Sequence, residues 1–265
     1  MKRDERRQAI MDLLVADRAV DLDALATRFD VSRMTIHRDL DDLAQAGLLR
    51  KVRGGATIEA GTQFESDFRI RELQDGEAKG RMAEAAMALV EPGMTVMVND
   101  GSMAALLGAR LGGLAPLTVI TNNAAVIERL KDAPGVTLIA LGGTYSAKFN
   151  GFFGMVTENA LAGLRADLAF VSTPAVAGLQ AFHMDGDAVR TKRAMMRAAG
   201  TSVLLVNHRR FGRSALHLLA DLADFDAIIT DAAPVPDHLA ALERGGIALI
   251  VAEDATSSQN RGGKR

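Results

Sequence analysis

Apolar residues recur at helical spacing in three short segments at the start of the chain. In the third segment Ile36, Leu40 and Leu43 form one apolar stripe, and polar residues occupy the opposite face. Ser32 stands where its hydroxyl can cap this helix, and Gly47 stands where the helix would end. We therefore predict helices over residues 6–16, 21–29 and 33–46.

A basic hairpin is predicted directly after the third helix. Residues 48–52 and 56–58 read as two short strands around the turn Arg53-Gly54-Gly55. A helix with a polar, partly cationic face followed by such a hairpin is typical of a winged helix-turn-helix. That fold places the helix in the major groove of DNA and the hairpin against phosphates or the minor groove. The candidate DNA-binding residues are Ser32, Arg33, Thr35, His37, Arg38 and Arg53.

Charge adds little to the DNA-binding prediction. Residues 1–58 carry 11 Lys and Arg against 10 Asp and Glu, so their net charge is only +1. Residues 31–58 carry 5 basic and 3 acidic side chains, so the positive charge is local. The alternative is a small packing module whose charged helix face is simply solvated. The order and spacing of the helices and the hairpin favour DNA binding.

After residue 58 the pattern changes to a polar stretch and then to alternating strands and helices. We predict a linker over 59–75, an α/β domain over 76–253 and a disordered tail over 254–265. Apolar runs predict strands at 95–99, 117–121, 136–141, 168–172, 202–206, 227–230 and 247–251. This alternation predicts a Rossmann-like, mostly parallel sheet covered on both faces by helices.

Three successive strand ends of the predicted sheet carry small or polar residues: Asp100-Gly101-Ser102, Thr121-Asn122 and Gly142-Gly143. Ligands of open α/β sheets bind outside the carboxyl ends of the strands, where the strand order reverses. The first two sites also fall where helices begin, and a helix N-terminus favours an anion. Each site alone fits an ordinary strand-to-helix turn equally well. Their recurrence at three consecutive strand ends favours a shared ligand site.

Composition excludes several other classes of protein. The chain has no cysteine, which rules out disulfides and cysteine-based zinc sites. No apolar run approaches the roughly 20 residues of a membrane span, and the basic start is not followed by the apolar stretch of a signal peptide. We expect a soluble, cytoplasmic protein without a cofactor. His183, Asp185 and Asp187 could suggest a metal site, but a polar loop that caps the following helix is the favoured interpretation.

Both halves of the chain resemble the DeoR family of bacterial sugar-catabolism regulators. The resemblance rests on VSRMTIHRDLDDLAQAGLLRKVRGGA in the first half, and on EAKGRMAEAA, VITNN, LGGTY, RADLAFVS, AVRTKRAMMRAA and FDAIITD in the second. It implies a sensor domain similar to ribose-5-phosphate isomerase and glucosamine-6-phosphate deaminase folds, with phosphorylated sugars as effectors. Lys192 matches a family lysine and is the expected charge partner of a phosphate. Departures from the family pattern are Met34, His37, Met103, Ala104, Asn207 and Arg210.

The sequence therefore predicts a repressor of a carbohydrate catabolism operon that is relieved by a phosphorylated sugar or a related metabolite. Its expected partners are double-stranded operator DNA and this small-molecule effector, and paired DNA sites imply a homodimer or homotetramer. The candidate effector-binding residues are Asp100, Gly101, Ser102, Thr121, Asn122, Gly142, Gly143 and Lys192. The alternative is a sugar-phosphate isomerase or deaminase that carries a DNA-binding head, with Asp100 or Asp231 as its general base.

Overall fold

The computed structural model describes residues 1–59 and 65–252. The chain divides into two compact units, one over Met1–Gln74 and one that starts at Asp75. No helix within these described residues is long and apolar enough to cross a membrane.

The first unit is a three-helix core with a small antiparallel sheet. Ile10, Leu14, Ile36 and Leu40 are fully buried in its centre, as expected from their helical spacing. Its strands pair in the order β1-β3-β2, so the predicted hairpin is joined by a third strand that sequence analysis missed. The elements are α1 (Arg3–Asp17), β1 (Ala19–Asp21), α2 (Leu22–Phe29), α3 (Arg33–Gln45), β2 (Arg50–Val52), β3 (Gly55–Thr57) and α4 (Phe68–Leu73).

The predicted linker contains a helix. Within residues 59–75 the chain forms α4, and Ile70 packs into the core of the first unit. Arg71 and Glu65 form an ion pair in which both side chains are less than one-tenth exposed. The sequence does not predict this helix, because its six residues include too few apolar positions to show a helical period. Residues 60–64 and the predicted tail lie outside the described residues.

The second unit is built on a seven-stranded parallel sheet with the strand order β15-β14-β12-β9-β4-β5-β6. Its helices are α5 (Gly76–Met87), α6 (Ser102–Leu111), α7 (Ala124–Leu130), α8 (Met155–Ala162), α9 (Gly186–Ala198) and α10 (Pro236–Arg244). Its strands are β4 (Thr95–Val98), β5 (Leu117–Thr121), β6 (Val136–Ala140), β7 (Thr144–Ser146), β8 (Gly151–Phe153), β9 (Ala166–Ser172), β10 (Ala175–Ala177), β11 (Gln180–His183), β12 (Ala199–Leu205), β13 (His217–Asp221), β14 (Ala227–Thr230) and β15 (Leu249–Val251).

Helices cover both faces of this sheet, as the apolar runs predict. Val96 and Val98 of β4 pack in a cluster with residues of α5, α6 and α7. Met97, which points to the other face, packs with residues of α8 and α9. This arrangement confirms the predicted fold class of a winged helix-turn-helix followed by a mostly parallel α/β domain.

Two smaller strand groups of the second unit escaped sequence analysis. β7 and β8 form an antiparallel hairpin, and β10, β11 and β13 form a separate three-stranded sheet. Most of these strands have only three residues, which is too short for an alternating pattern to be distinguished from a loop.

Candidate functional site

The third helix of the first unit presents a polar face to solvent. Ile36 and Leu40 are fully buried, whereas Met34 is 61% exposed on the opposite side. Arg38 and Asp41 are exposed on that same side. The apolar stripe therefore anchors α3 in the unit and leaves its other face available for a partner.

The start of α3 is held by its own side chains and by a neighbouring helix. The Ser32 hydroxyl accepts a hydrogen bond from the Thr35 N–H at 3.2 Å, and the two hydroxyl oxygens are 2.9 Å apart. Arg33 forms an ion pair with Asp23 of α2, with its Nε 2.8 Å from the carboxylate. Ser32, Arg33 and Thr35 thus have structural partners in the free protein, while His37, Arg38 and Arg53 are exposed.

The hairpin after α3 depends on two glycines. Gly54 has a φ of 81° in the turn that also carries Arg53. A Cβ at Gly55 would lie 1.9 Å from the Val20 carbonyl oxygen, because β1 passes directly beside β3 at this point. The turn thereby places Arg53 at the tip of a hairpin that is fastened to the rest of the unit.

A buried ion pair, which sequence analysis missed, fastens α3 to α1. The Arg6 Nε lies 2.6 Å from Asp39, and the two side chains are 8% and 2% exposed. Arg7 also donates to Asp39, at 3.4 Å. The only signal in the sequence is that Asp39 lies beside Leu40 on the buried flank of the helix.

In the second unit, the strand order reverses between β4 and β9. Successive parallel strands run outward from β4 through β5 to β6 in one direction, and from β9 through β12 and β14 in the other. The segment after β4, which includes Asp100, therefore borders the crevice where such sheets bind ligands. We call the carboxyl ends of β4, β9 and β5 the effector crevice.

A buried ion pair occupies the effector crevice. The Lys192 Nζ, from α9, lies 3.5 Å from the Asp100 carboxylate and donates to the Ser172 carbonyl oxygen at 3.0 Å. Both charged side chains are 2% exposed. The Asn99 side chain connects the same two strand ends, since its oxygen accepts from the Ser172 N–H at 3.2 Å. Asp100 and Lys192 are residues predicted from the sequence, whereas Asn99 and Ser172 are site residues that only the structure reveals.

The Asn122 side chain has an acceptor oxygen that no other described residue uses. Its Nδ2 donates to the Phe152 carbonyl at 2.9 Å, but its Oδ1 has no hydrogen-bond partner among the described residues although Asn122 is fully buried. The orientation of the amide follows from its partner, because a carbonyl oxygen can only accept. Such a group is unfavourable unless something donates to it.

The β7–β8 hairpin covers this part of the crevice. Phe152 donates its N–H to the Asn122 carbonyl at 2.9 Å. A Cβ at Gly151 would lie 3.0 Å from the Asn122 carbonyl oxygen and 3.3 Å from the Asp100 Cβ. The absence of a side chain at Gly151 therefore allows the hairpin to lie against both residues.

Two parts of the predicted effector site already have hydrogen-bond partners within the protein. The Thr121 hydroxyl is used within the sheet, since it donates to the Val98 carbonyl at 2.6 Å and accepts from the Asn123 N–H at 3.0 Å. Helix α7 begins after Asn123, whose side-chain oxygen accepts from the N–H groups of Ala125 and Val126. The start of α7 is therefore already capped and offers no anion site. By contrast, α6 begins after Gly101, which has no side chain to cap it.

Gly142 and Gly143 have a structural role of their own. The Gly142 carbonyl accepts from the Thr157 hydroxyl at 2.6 Å. Gly143 has a φ of 142°, and a Cβ there would lie 2.3 Å from the Thr157 Oγ1. Both glycines follow the edge strand β6, two strands from β4. Their contacts fasten α8 and do not place them against Asp100 or Lys192.

Other polar groups of the second unit also have structural partners. The Asp185 side chain accepts from the Ala188 N–H at 2.9 Å and so caps α9, as the favoured sequence interpretation expects. No group of three or more potential metal ligands occurs within residues 1–59 and 65–252. One carboxylate oxygen of Asp231 accepts a hydrogen bond from the His208 backbone N–H. The other carboxylate oxygen lies 2.8 Å from the His208 Nδ1.

Comparisons with known proteins agree with this architecture. Residues 6–61 match the DeoR-like helix-turn-helix domain, and residues 74–232 match the DeoR C terminal sensor domain. The glycerol-3-phosphate regulon repressor of Escherichia coli is 27% identical over 238 residues, which cover 88% of this chain and 93% of the relative. The L-fucose operon activator of Haemophilus influenzae is 32% identical over 216 residues, which cover 81% and 86%.

Among solved structures, ribose 5-phosphate isomerase A from Methanocaldococcus jannaschii matches with a TM-score of 0.38 and 20% identity. The match covers 52% of this chain and 55% of the isomerase chain.

Proposed function

The chain belongs to the DeoR family of transcriptional regulators, and from that premise we propose that it represses an operon of carbohydrate catabolism. Repression would be relieved when a phosphorylated sugar or a related metabolite binds the second unit. The names of the relatives support this class of target, since they include a glycerol-3-phosphate regulon repressor. The observation that carries the DNA-binding role is the polar face of α3, which lies next to a basic hairpin.

In the proposed complex, α3 enters the major groove, where Ser32, Arg33, Thr35, His37 and Arg38 face the DNA. Arg53 then contacts the backbone or the minor groove. Arg38→Ala should weaken specific binding by about 1–3 kcal/mol if Arg38 reads a base. Arg53→Ala should weaken binding to all sequences alike. It should also reduce the slope of log K against log salt concentration by about 0.9 for each phosphate contact that is lost. Operator titrations over a salt series measure both effects, and wild-type affinity in both variants would refute the proposed interface.

The proposed effector site is the crevice around the Asp100–Lys192 pair. The N–H groups at the uncapped start of α6, after Gly101, would hold an anionic group, with Ser102 adding a hydroxyl. Lys192 would neutralise that group. Asp100 and the unused acceptor of Asn122 would bind sugar hydroxyls. Thr121, Gly142 and Gly143 would shape the crevice without contributing side-chain bonds.

Calorimetric titration of sugar phosphates and of their unphosphorylated forms tests this assignment. Ser102→Ala should lower the affinity for the phosphorylated effector, because Ser102 stands at the start of α6. Thr201→Ala is the control, since it removes an exposed hydroxyl near the amino end of β12, at the end of the strands opposite to Ser102. Equal losses in the two variants would place the anion elsewhere. Preference for unphosphorylated ligands would show that Met103 and Ala104 mark a crevice without a phosphate site.

Switching requires that the effector bind differently to two arrangements of the regulator. Paired half-sites in DNA further require two copies of the first unit, so we propose a homodimer or homotetramer assembled through the second unit. A fragment that starts at Gly76 should stay folded and oligomeric and should fail to bind DNA. Analytical ultracentrifugation of that fragment gives the answer, and a monomer would contradict assembly through this unit.

We propose that the protein is not an enzyme. The family consists of regulators, and the two candidate bases have other partners: Asp100 lies beside Lys192, and Asp231 is engaged by His208. Assays of pentose and hexose phosphate isomerisation test this proposal. Turnover that disappears in Asp100→Asn would favour the enzymatic alternative.

A further inference from the structure

A groove of about 450 Å³ opens between the first turn of α1 and the helix α3. Two of the residues that line it, Thr35 and Arg38, belong to the proposed DNA-facing surface. The groove and that surface are therefore continuous. The lining residues are Arg3, Arg6, Thr35, Arg38, Asp39, Asp41 and Asp42.

The charges in this groove are balanced, with three arginines against three aspartates. Arg6 and Asp39 are committed to each other in the buried pair described above. Asp41 is engaged by Lys51 of the hairpin, whose Nζ lies 2.5 Å from its carboxylate. The three remaining charges of the groove are those of Arg3, Arg38 and Asp42.

Asp42 forms ion pairs with both Arg3 and Arg7. The Arg3 side chain is 61% exposed and that of Asp42 is 38% exposed, so their pair lies in solvent, where such contacts are weak. A phosphate is a good competitor, because the planar guanidinium binds it through two parallel hydrogen bonds. Arg7 is less exposed and keeps a second carboxylate partner in Asp39.

We propose that this groove receives a backbone phosphate of the bound DNA and that Asp42 is an internal counter-ion which the phosphate displaces from Arg3. The proposal rests on the DNA-binding function proposed above. Phosphate contacts carry no sequence information, so Asp42 lowers the affinity for every DNA sequence alike. Its effect is to make binding depend more strongly on base contacts from the rest of α3. This role also gives a reason why residues 1–58 have a net charge of only +1.

The test is the affinity for a mixed-sequence duplex at fixed low salt, which needs no knowledge of the operator. Asp42→Asn should raise this affinity by about 2- to 5-fold, the size expected when a competing exposed ion pair is removed. Asp12→Asn is the matched control, because Asp12 is an exposed carboxylate on α1 that does not line the groove. It corrects for the loss of one negative charge.

Arg3→Ala, alone and combined with Asp42→Asn, completes a double-mutant cycle. Alone it should lower the affinity for the duplex, and in its background Asp42→Asn should give no gain beyond the control. An Asp42→Asn variant that matches Asp12→Asn would overturn the proposal, as would the same gain with and without Arg3. Should Asp42→Asn prove unfolded by circular dichroism, an unchanged affinity in Arg3→Ala overturns it instead. If the wild type binds no duplex, the proposed function fails and this inference with it.

Discussion

Replacement of Lys192 by methionine is expected to destabilise the second unit strongly. Methionine has a similar shape but no charge, so the Asp100 carboxylate would remain buried beside an apolar side chain. The Lys192 Nζ would also no longer donate to the Ser172 carbonyl. The substitution therefore tests whether the ion pair is part of the fold as well as of the proposed effector site.

The magnitude follows from the geometry of the pair. At 3.5 Å the attraction is about 5 kcal/mol with an effective dielectric constant of roughly 20. Desolvation of the two charges offsets much of that energy while both partners are present. Removal of one partner leaves the other uncompensated, so Lys192→Met should lower the free energy of unfolding by about 3–5 kcal/mol. Lys192→Met combined with Asp100→Asn should recover most of this loss.

Hydrogen exchange of the backbone amides in β4 and β9 measures this free energy within the second unit. Lys131→Met is the control, because Lys131 forms an exposed pair with Glu128, and it should leave exchange unchanged. Exchange like that of the wild type in Lys192→Met alone would refute a stabilising role of the buried pair, and so would a double variant that is no more stable than the single one.

The double variant also tests the effector site in a folded protein. Compared with Asp100→Asn alone, the loss of the Lys192 charge should lower the affinity for a phosphorylated effector by roughly 10- to 150-fold, the value of one charge-assisted hydrogen bond. Binding to the operator should persist, so the variant should no longer respond to its inducer. An unchanged effector affinity would remove Lys192 from the site.

Three further predictions concern the first unit. Gly55→Ala should disrupt the hairpin, because its Cβ would lie 1.9 Å from the Val20 carbonyl, and the amide chemical shifts of β1 and β3 should show it. The hydrogen bond from Lys51 lowers the pKa of Asp41. The pair therefore stabilises the fold fully at a pH above the ordinary pKa of Asp41, and this stabilisation is lost as the pH falls through the lowered pKa. An NMR titration should show that pKa rising toward its ordinary range in Lys51→Ala, and an unmoved pKa would contradict the assignment. Ser32→Ala should lower the free energy of unfolding of the first unit by about 1 kcal/mol, because α3 loses its cap. Thermal unfolding measures this change, and an unchanged value would mean that the cap contributes nothing.

Local signals account for most of what the sequence predicts correctly. Ser32 caps its helix as its position predicts, because a cap needs only the next three residues. The strands at 117–121 and 227–230 have the predicted bounds, since buried parallel strands are continuous apolar runs between polar ends. These features depend on neighbours along the chain, which the sequence displays directly.

The sequence by itself therefore determined the two-part architecture, the reading helix with its hairpin, and the polar strand ends that border a crevice. The tertiary structure alone decided which polar groups in these places are already occupied. The Thr121 hydroxyl is used inside the sheet, whereas the Asn122 Oδ1 has no partner among the described residues, although the two are adjacent buried polar residues. Lys192 meets Asp100, and Arg6 meets Asp39, across separations of 92 and 33 residues. Such pairings follow from the order of strands and the packing of helices, and no local pattern of residues encodes them.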